Sequence, residues 1–284
     1  MNEKQMNNSK PIALITGATG GIGLATSRLL GMAMDLVLTD ISEQRLEEAR
    51  KSLMTDGVAV IATVPGKLQD KSVVQALLDA LPEGRSLHVL VHAAGQASVQ
   101  GDWVSSIYSN VVGTRLLIDA IGSRIAPGGC AVLLSSLAGH AAVPVTELDD
   151  VIEDWKAPDL IERIAPHLDA IPEDERSGRC YVLAKRMIIR LCEKLAIDWA
   201  RNGVRIVSIS PGLVDTPMGR AEVAHNPASR RLVDIIPMGK FAKPNDIAAA
   251  IQFLASPSAS LITGSDLRID GGLQAALVHS VMQT

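Results

Sequence analysis

Ile12-Ala13-Leu14-Ile15-Thr16-Gly17-Ala18-Thr19-Gly20-Gly21-Ile22-Gly23 is an apolar run that breaks into a glycine-rich turn. A continuous apolar run, rather than an alternating one, marks a strand buried on both faces, as in a parallel sheet covered by helices. The same unit recurs along the chain. Apolar runs at 12–16, 35–40, 58–64, 87–93, 130–135, 204–210 and 266–269 predict strands. Helical patterns over 23–30, 42–55, 70–81, 103–125, 178–202 and 245–255 separate them. Strands alternating with helices predict an α/β fold, a single-domain Rossmann-type doubly wound parallel sheet. No linker interrupts the alternation, so residues 1–284 read as one domain with a flexible polar stretch at 1–10.

Composition narrows the function classes. The chain has 284 residues, 47% of them hydrophobic, and a net charge of −4. That leaves no electrostatic footprint for nucleic acid or an anionic membrane. Three cysteines, Cys130, Cys180 and Cys192, form no close pair, which argues against a disulfide framework and a zinc site. The histidines form no H-x-H pair, and no metal is expected. With no signal sequence and no long apolar run, the expected setting is a reducing cytoplasm.

The turn at 16–23 follows a strand and opens a helix, the context in which glycines let the backbone approach a pyrophosphate. Amide N–H groups at the helix start then face the phosphates. Asp40 ends the second strand, where a carboxylate accepts ribose hydroxyls and repels a 2′-phosphate. Ile41 follows, with no Arg or Lys near it in sequence. The expected cofactor is therefore NAD. Tyr181 is one of only two tyrosines, and Lys185 stands four residues on, so phenol and ammonium share one helix face. A free phenol has a pKa of about 10; a neighbouring cation stabilises the phenolate, as acid–base work near neutrality requires.

Taken together, these features resemble the short-chain dehydrogenase/reductase family over nearly the whole chain. The glycine pattern is met by Thr16, Gly17, Gly21 and Gly23, and the motif after the fourth strand by His92-Ala93-Ala94-Gly95. Asn110, Ser136, Tyr181, Lys185, Pro211-Gly212 and Asp270-Gly271-Gly272 follow in family order. The resemblance implies four catalytic residues. Tyr181 exchanges the hydroxyl proton, Ser136 holds the substrate oxygen, Lys185 holds the nicotinamide ribose, and Asn110 positions a relay water. Ser135 is the competing serine, and the L-A-G that follows favours Ser136. Around the cofactor the resemblance places Gly17, Thr19, Gly21, Ile22, Gly23, Asp40, Ala93, Ala94, Gly95, Pro211, Gly212, Val214 and Thr216, besides Tyr181 and Lys185.

The chain departs from the family in three places. His92 stands where an asparagine is usual. Lys67 stands where an aspartate normally meets the adenine, with Asp70 as a possible substitute. Between Ser136 and Tyr181 lies an insertion, 140–178, whose segment 147–176 holds eleven acidic and three basic residues. Leu148, Val151, Ile152 and Trp155, and then Leu160, Ile161, Ile164 and Leu168, predict two short amphipathic helices punctuated by Pro158, Pro166 and Pro172. The insertion reads as a docked surface excursion, an oligomer contact or a lid. Its position, with Asp270-Gly271-Gly272-Leu273-Gln274-Ala275-Ala276-Leu277 near the C-terminus, is similar to the bacterial 3α-hydroxysteroid dehydrogenase/carbonyl reductase branch. The family resemblance implies a homodimer or homotetramer, and this branch favours the dimer, because the insertion covers the helix surface through which many family members form tetramers. The loop 213–240, with Met218, Val223, Ile235, Ile236 and Met238, faces Leu137 and Val143 and is expected to receive a small hydrophobic alcohol or ketone, whether steroid, aromatic or alicyclic. The competing functions are a sugar-nucleotide epimerase or dehydratase and a non-catalytic NAD-binding regulator. Only 99 residues follow Lys185, few for the former, and the complete tyrosine and lysine pair disfavours the latter.

Overall fold

The first apolar run forms β1 (Ile12–Thr16), with every residue buried. The computed structural model describes residues 10–96, 102–141, 154, 156–169 and 171–281. The remaining strands are β2 (Asp35–Asp40), β3 (Val60–Pro65), β4 (Leu87–His92), β5 (Ile125–Leu134), β6 (Arg205–Pro211) and β7 (Asp266–Ile269). They pair in parallel in the order β3-β2-β1-β4-β5-β6-β7. The order reverses between β1 and β4. In a doubly wound sheet, ligands bind at that reversal, beyond the carboxyl ends of the strands.

Helices cover both faces. One face carries α1 (Gly21–Gly31), α2 (Glu43–Thr55) and, later in the chain, Pro244–Ala255; the other carries α3 (Lys71–Asp79), Gly113–Ile121 and Glu173–Arg201. Successive strand residues point to opposite sides. Ile12 and Leu14 therefore join one apolar layer with Leu117 and Leu183, while Ala13 and Ile15 join the other with Leu30, Leu46 and Ile251.

Several boundaries differ from the sequence expectation, each for a local reason. The helix expected over 103–125 is α4 (Trp103–Ile107), a π turn (Tyr108–Val112) and α5 (Gly113–Ile121), followed by a 3-10 turn. β5 starts at Ile125 rather than 130. Pro127-Gly128-Gly129 reads as a turn but is a strand irregularity, with a register shift against β4 between Leu87 and Val89. The loop expected at 213–240 holds two helices, as described below.

Of the expected insertion, 142–153, with Leu148, Val151 and Ile152, and also Trp155, lies outside the described residues. The next four apolar positions do form a helix, α6 (Leu160–Asp169), with Pro166 inside it rather than at its end. Leu160, Ile164 and Leu168 are buried in the main core cluster. α7 (Glu173–Arg201) begins five residues before the expected 178, with Glu173, Asp174 and Glu175 in its first turn. Carboxylates there complement the positive end of the helix dipole. Part of the acidic run thus supports the helix that carries Tyr181 and Lys185. Among the described residues no helix is long and apolar enough to cross a membrane, and no three His, Cys, Asp or Glu side chains are grouped to hold a metal.

Candidate active site

At the end of β1 the chain turns at Gly17 with φ of +64°. A Cβ at Gly17 would lie 2.7 Å from the backbone of Ala93 and Ala94, so a larger residue is excluded twice over. The turn is thereby pressed against the segment that follows β4. Thr216 closes its other side: a Cβ at Gly21 would meet the Thr216 methyl at 2.7 Å. Gly20 precedes α1 and offers no side-chain cap, so the first amides of that helix keep their donors for an anion. The cradle fits a dinucleotide pyrophosphate, with Gly17, Thr19, Gly21, Ile22 and Gly23 along it.

Asp40 reaches back to this turn. Its Oδ2 accepts from the Thr19 amide at 2.9 Å and the Thr19 hydroxyl at 2.6 Å, and Oδ1 accepts from Ile41 N. The cap of α2 is Ser42, not Asp40. One expectation needs correction here: a cation does stand close. Arg45, one turn into α2, donates to the Thr19 carbonyl at 3.1 Å; the helix brings back a residue that sequence distance set aside. Asp70, the possible adenine partner, is engaged in capping α3 through the amide and hydroxyl of Ser72.

The reacting groups gather beyond β5. Ser135 and Ser136 follow the strand with opposite duties. Ser135, buried, donates to the Lys185 carbonyl at 2.7 Å and so fastens α7 to the strand end. Ser136 starts a 3-10 turn (Leu137–His140) and accepts from Ala138 N at 3.2 Å, and its hydroxyl stands beside the Tyr181 phenol. A Cβ at Gly139 in that turn would lie 3.0 Å from the Lys185 backbone, which explains the close seat of the turn on α7. Lys185 is 6% exposed; its Nζ donates to the Leu134 carbonyl at 3.0 Å and lies 5.7 Å from the Tyr181 ring centroid.

Burial pushes the Tyr181 phenol up to about 12; the Ser136 hydroxyl pulls it down, and the Glu222 charge raises it further. The expected lowering by Lys185 is not realised in this arrangement, where desolvation prevails. Burial also pushes the Lys185 ammonium down to about 8.

Asn110 sits in the π turn, 1% exposed. Its Oδ1 accepts from Gln96 N at 2.9 Å, while Nδ2 donates to the Gln96 carbonyl at 3.0 Å and to Ser106 Oγ at 3.2 Å. Gly95 lies closely between Asn110 and Lys185: a Cβ there would lie 2.9 Å from Asn110 Oδ1 and 3.3 Å from Lys185 Nζ. The structure therefore brings Asn110, Gly95, Lys185, Tyr181 and Ser136 together.

Past β6, Gly212 donates to the Ile269 carbonyl at 3.0 Å, which seats the Pro211-Gly212 pair against the strand end that leads to Asp270-Gly271-Gly272. Val214 is buried and bridges to Ala242. Thr216 caps α8 (Pro217–His225) through Gly219 N at 3.0 Å. After it come α9 (Pro227–Asp234), α10 (Pro244–Ala255) and α11 (Leu273–Val281). Of the apolar residues expected to face substrate, Leu137 and Ile236 pack with Leu273 in a small cluster, whereas Met218, Ile235 and Met238 are exposed; Val143 lies outside the described residues. Glu222 was not marked by the sequence. It lies in α8, accepts from Ser229 at 3.0 Å and sends its charge to the phenol.

Comparison with known proteins identifies the family and the fold. A family model described as short chain dehydrogenase matches residues 11–148, and one described as enoyl-(acyl carrier protein) reductase matches 171–274. The chain is 32% identical to the D-threitol dehydrogenase of Mycolicibacterium smegmatis, over 92% of each. It is 29% identical to the short-chain dehydrogenase/reductase bsc3 of Alternaria brassicicola, over 95% of this chain and 97% of that one. Among solved structures, a variant of the actinorhodin polyketide ketoreductase with NADPH superposes with a TM-score of 0.73 at 22% identity, covering 93% of this chain and 97% of the other.

Proposed function

Because this chain belongs to the short-chain dehydrogenase/reductase family, we propose that it is an NAD-dependent oxidoreductase moving a hydride between nicotinamide and a secondary alcohol or its ketone. The observation that carries the reading is the meeting of the Ser136 hydroxyl, the Tyr181 phenol and the Lys185 ammonium at the end of β5. The dinucleotide supplies the hydride acceptor or donor and, when oxidised, a positive ring charge. Tyr181 exchanges the proton of the substrate oxygen at Oη, and Ser136 donates to that oxygen as charge develops on it. Lys185, held by the Leu134 carbonyl, keeps its remaining protons for the cofactor ribose. Asn110 anchors the Gln96 backbone beside it and positions the relay water.

The choice of NAD rests on Asp40, whose charge at the turn repels a 2′-phosphate; Arg45 opposes it from the adjoining helix. Steady-state kinetics read at 340 nm are expected to give a lower KM for NAD than for NADP. Asp40→Ala is expected to move that preference toward NADP by about 10- to 100-fold, the factor that about 1.4–2.8 kcal/mol represents. A wild-type enzyme that prefers NADP would overturn the assignment.

For substrate, the exposed Met218, Ile235 and Met238 beyond the strand ends support a hydrophobic alcohol or ketone, steroid, aromatic or alicyclic. Glu222 favours a second reading, a polyol whose further hydroxyls donate to the carboxylate, and the similarity to a D-threitol dehydrogenase points the same way. A panel of steroid, aryl, alicyclic and polyol substrates followed at 340 nm separates the two readings. Turnover of polyols alone would remove the first. We assign the described part of the insertion, 156–169, a docking role, from the burial of Leu160, Ile164 and Leu168. A homodimer or homotetramer is supported by the edge strand β7, where Leu267 is exposed, as are Phe253 and Leu261 elsewhere on the surface. Three buried free thiols accord with a cytoplasmic setting.

A further inference from the structure

β4 ends in His92, which is 1% exposed and lies beneath the site rather than in it. Its Nδ1 is 2.8 Å from Thr16 Oγ1, and its Nε2 is 2.8 Å from Thr114 Oγ1. The distances leave open which ring nitrogen carries hydrogen, but the hydroxyls decide it, because each has a single proton to give. Thr114 gives its proton to the Asn110 carbonyl at 2.7 Å, so toward the ring it can only accept, and Nε2 must be the donor. Thr16 accepts from the Ala94 amide at 3.1 Å, which leaves its own proton to point at Nδ1. The ring is neutral: burial, aided by the charge of Lys185, pushes its pKa down to about 3.

The bonds form one directed chain. It runs from Ala94 N–H to Thr16, from Thr16 O–H to His92 Nδ1, from Nε2–H to Thr114, and from Thr114 O–H to the Asn110 carbonyl. Both ends are peptide groups, which neither supply nor take up a proton, so the chain orients and does not conduct. One end lies against the glycine turn and the other in the π turn beside Gly95 and Lys185. We infer that His92 is a positioning residue, locked as the Nε2–H tautomer, that joins the dinucleotide turn to the Asn110 side of the reacting centre. Its kinetic consequences rest on the dehydrogenase reading; its tautomer and its effect on dinucleotide binding do not.

Two amide substitutions split the ring's two roles. His92→Asn keeps an acceptor near the position of Nδ1 and loses the donor to Thr114. His92→Gln places a donor near Nε2 and gives up Thr16. Thr114→Val removes the hydroxyl at nearly constant shape. In a 15N long-range NMR spectrum of the wild-type protein, with His92 assigned by its absence from His92→Asn, the ring is expected as the neutral Nε2–H form throughout the neutral pH range. An Nδ1–H form, or titration in that range, would overturn the proposal. His92→Asn and Thr114→Val are each expected to lower kcat about ten-fold while the Kd for NAD holds, and the double variant to be no worse than either. His92→Gln is expected to recover kcat and weaken NAD binding about ten-fold. Additive effects in the double variant, or equal losses of kcat and binding in all three, would reduce His92 to a packing residue. If the wild-type protein oxidises no alcohol, the dehydrogenase reading fails, while the tautomer and the Kd still decide the role of His92.

Discussion

Tyr181→Phe is expected to lower kcat by about 10²- to 10⁴-fold, the range that a general acid–base group contributes, while the Kd for NAD stays close to that of the wild type. The asymmetry follows from the geometry. The phenol oxygen meets Ser136 and the substrate position, whereas the pyrophosphate cradle is built from the turn at 16–23, Thr216 and the start of α1. The substitution removes one oxygen from a half-buried ring and leaves the packing of α7 unchanged, so the fold should persist. Binding is read by titration calorimetry and turnover at 340 nm. Retention of full turnover would remove Tyr181 from the mechanism.

Lys185→Met is expected to combine a loss of activity of similar size with a gain in stability at neutral pH. Burial holds the folded-state pKa near 8, against 10.5 for an unperturbed lysine. The unfolded chain therefore binds this proton more tightly than the folded one. The resulting penalty on folding, about 3 kcal/mol, is complete below pH 8 and fades as the pH rises toward 10.5. Methionine fills similar volume without the charge. Losing the hydrogen bond to the Leu134 carbonyl returns about 1–2 kcal/mol of that gain. The net is about 1–2 kcal/mol, or about 2–8 °C in Tm for a domain of this size. Thermal melts at pH 7 and pH 10 should show the advantage of the variant shrinking at the higher pH. A variant less stable than wild type at pH 7 would mean that the buried ammonium is better compensated than its surroundings indicate. A function-bearing residue held at a cost in stability is the trade-off common at reacting centres.

What the sequence displays well is what depends on local pattern. β1, β2, β4 and the core of β5 are continuous apolar runs because both faces of the sheet are covered. The turn at 16–23 and the four-residue spacing of Tyr181 and Lys185 carry their geometry within themselves. α8 and α9 also carry local signals: Thr216-Pro217 and Asn226-Pro227 are each a polar residue followed by proline, a common helix start, overshadowed by the apolar residues between them. The rest needs contacts that a single chain position cannot announce. Arg45 reaches Thr19 only because α2 folds back along β2. Glu222 acquires meaning only when α8 is set beside α7. His92 looks like a lost asparagine until Thr16 and Thr114, 76 and 22 residues away, close on its two nitrogens. Pro127-Gly128-Gly129 misleads in the other direction, since turn chemistry is tolerated there as a bulge at the start of a strand.

If Tyr181, Lys185 and Ser136 enclose the reacting end of a nicotinamide dinucleotide, a crystal structure of the protein with NAD will display it. The pyrophosphate is expected over the amides at 17–23, the adenosine ribose at Asp40, Lys185 Nζ within about 3 Å of the nicotinamide ribose hydroxyls, and the nicotinamide ring beside the Tyr181 phenol. A dinucleotide whose nicotinamide lies away from Tyr181, or a Tyr181 Oη turned out of reach of Ser136 and the ring, would contradict it.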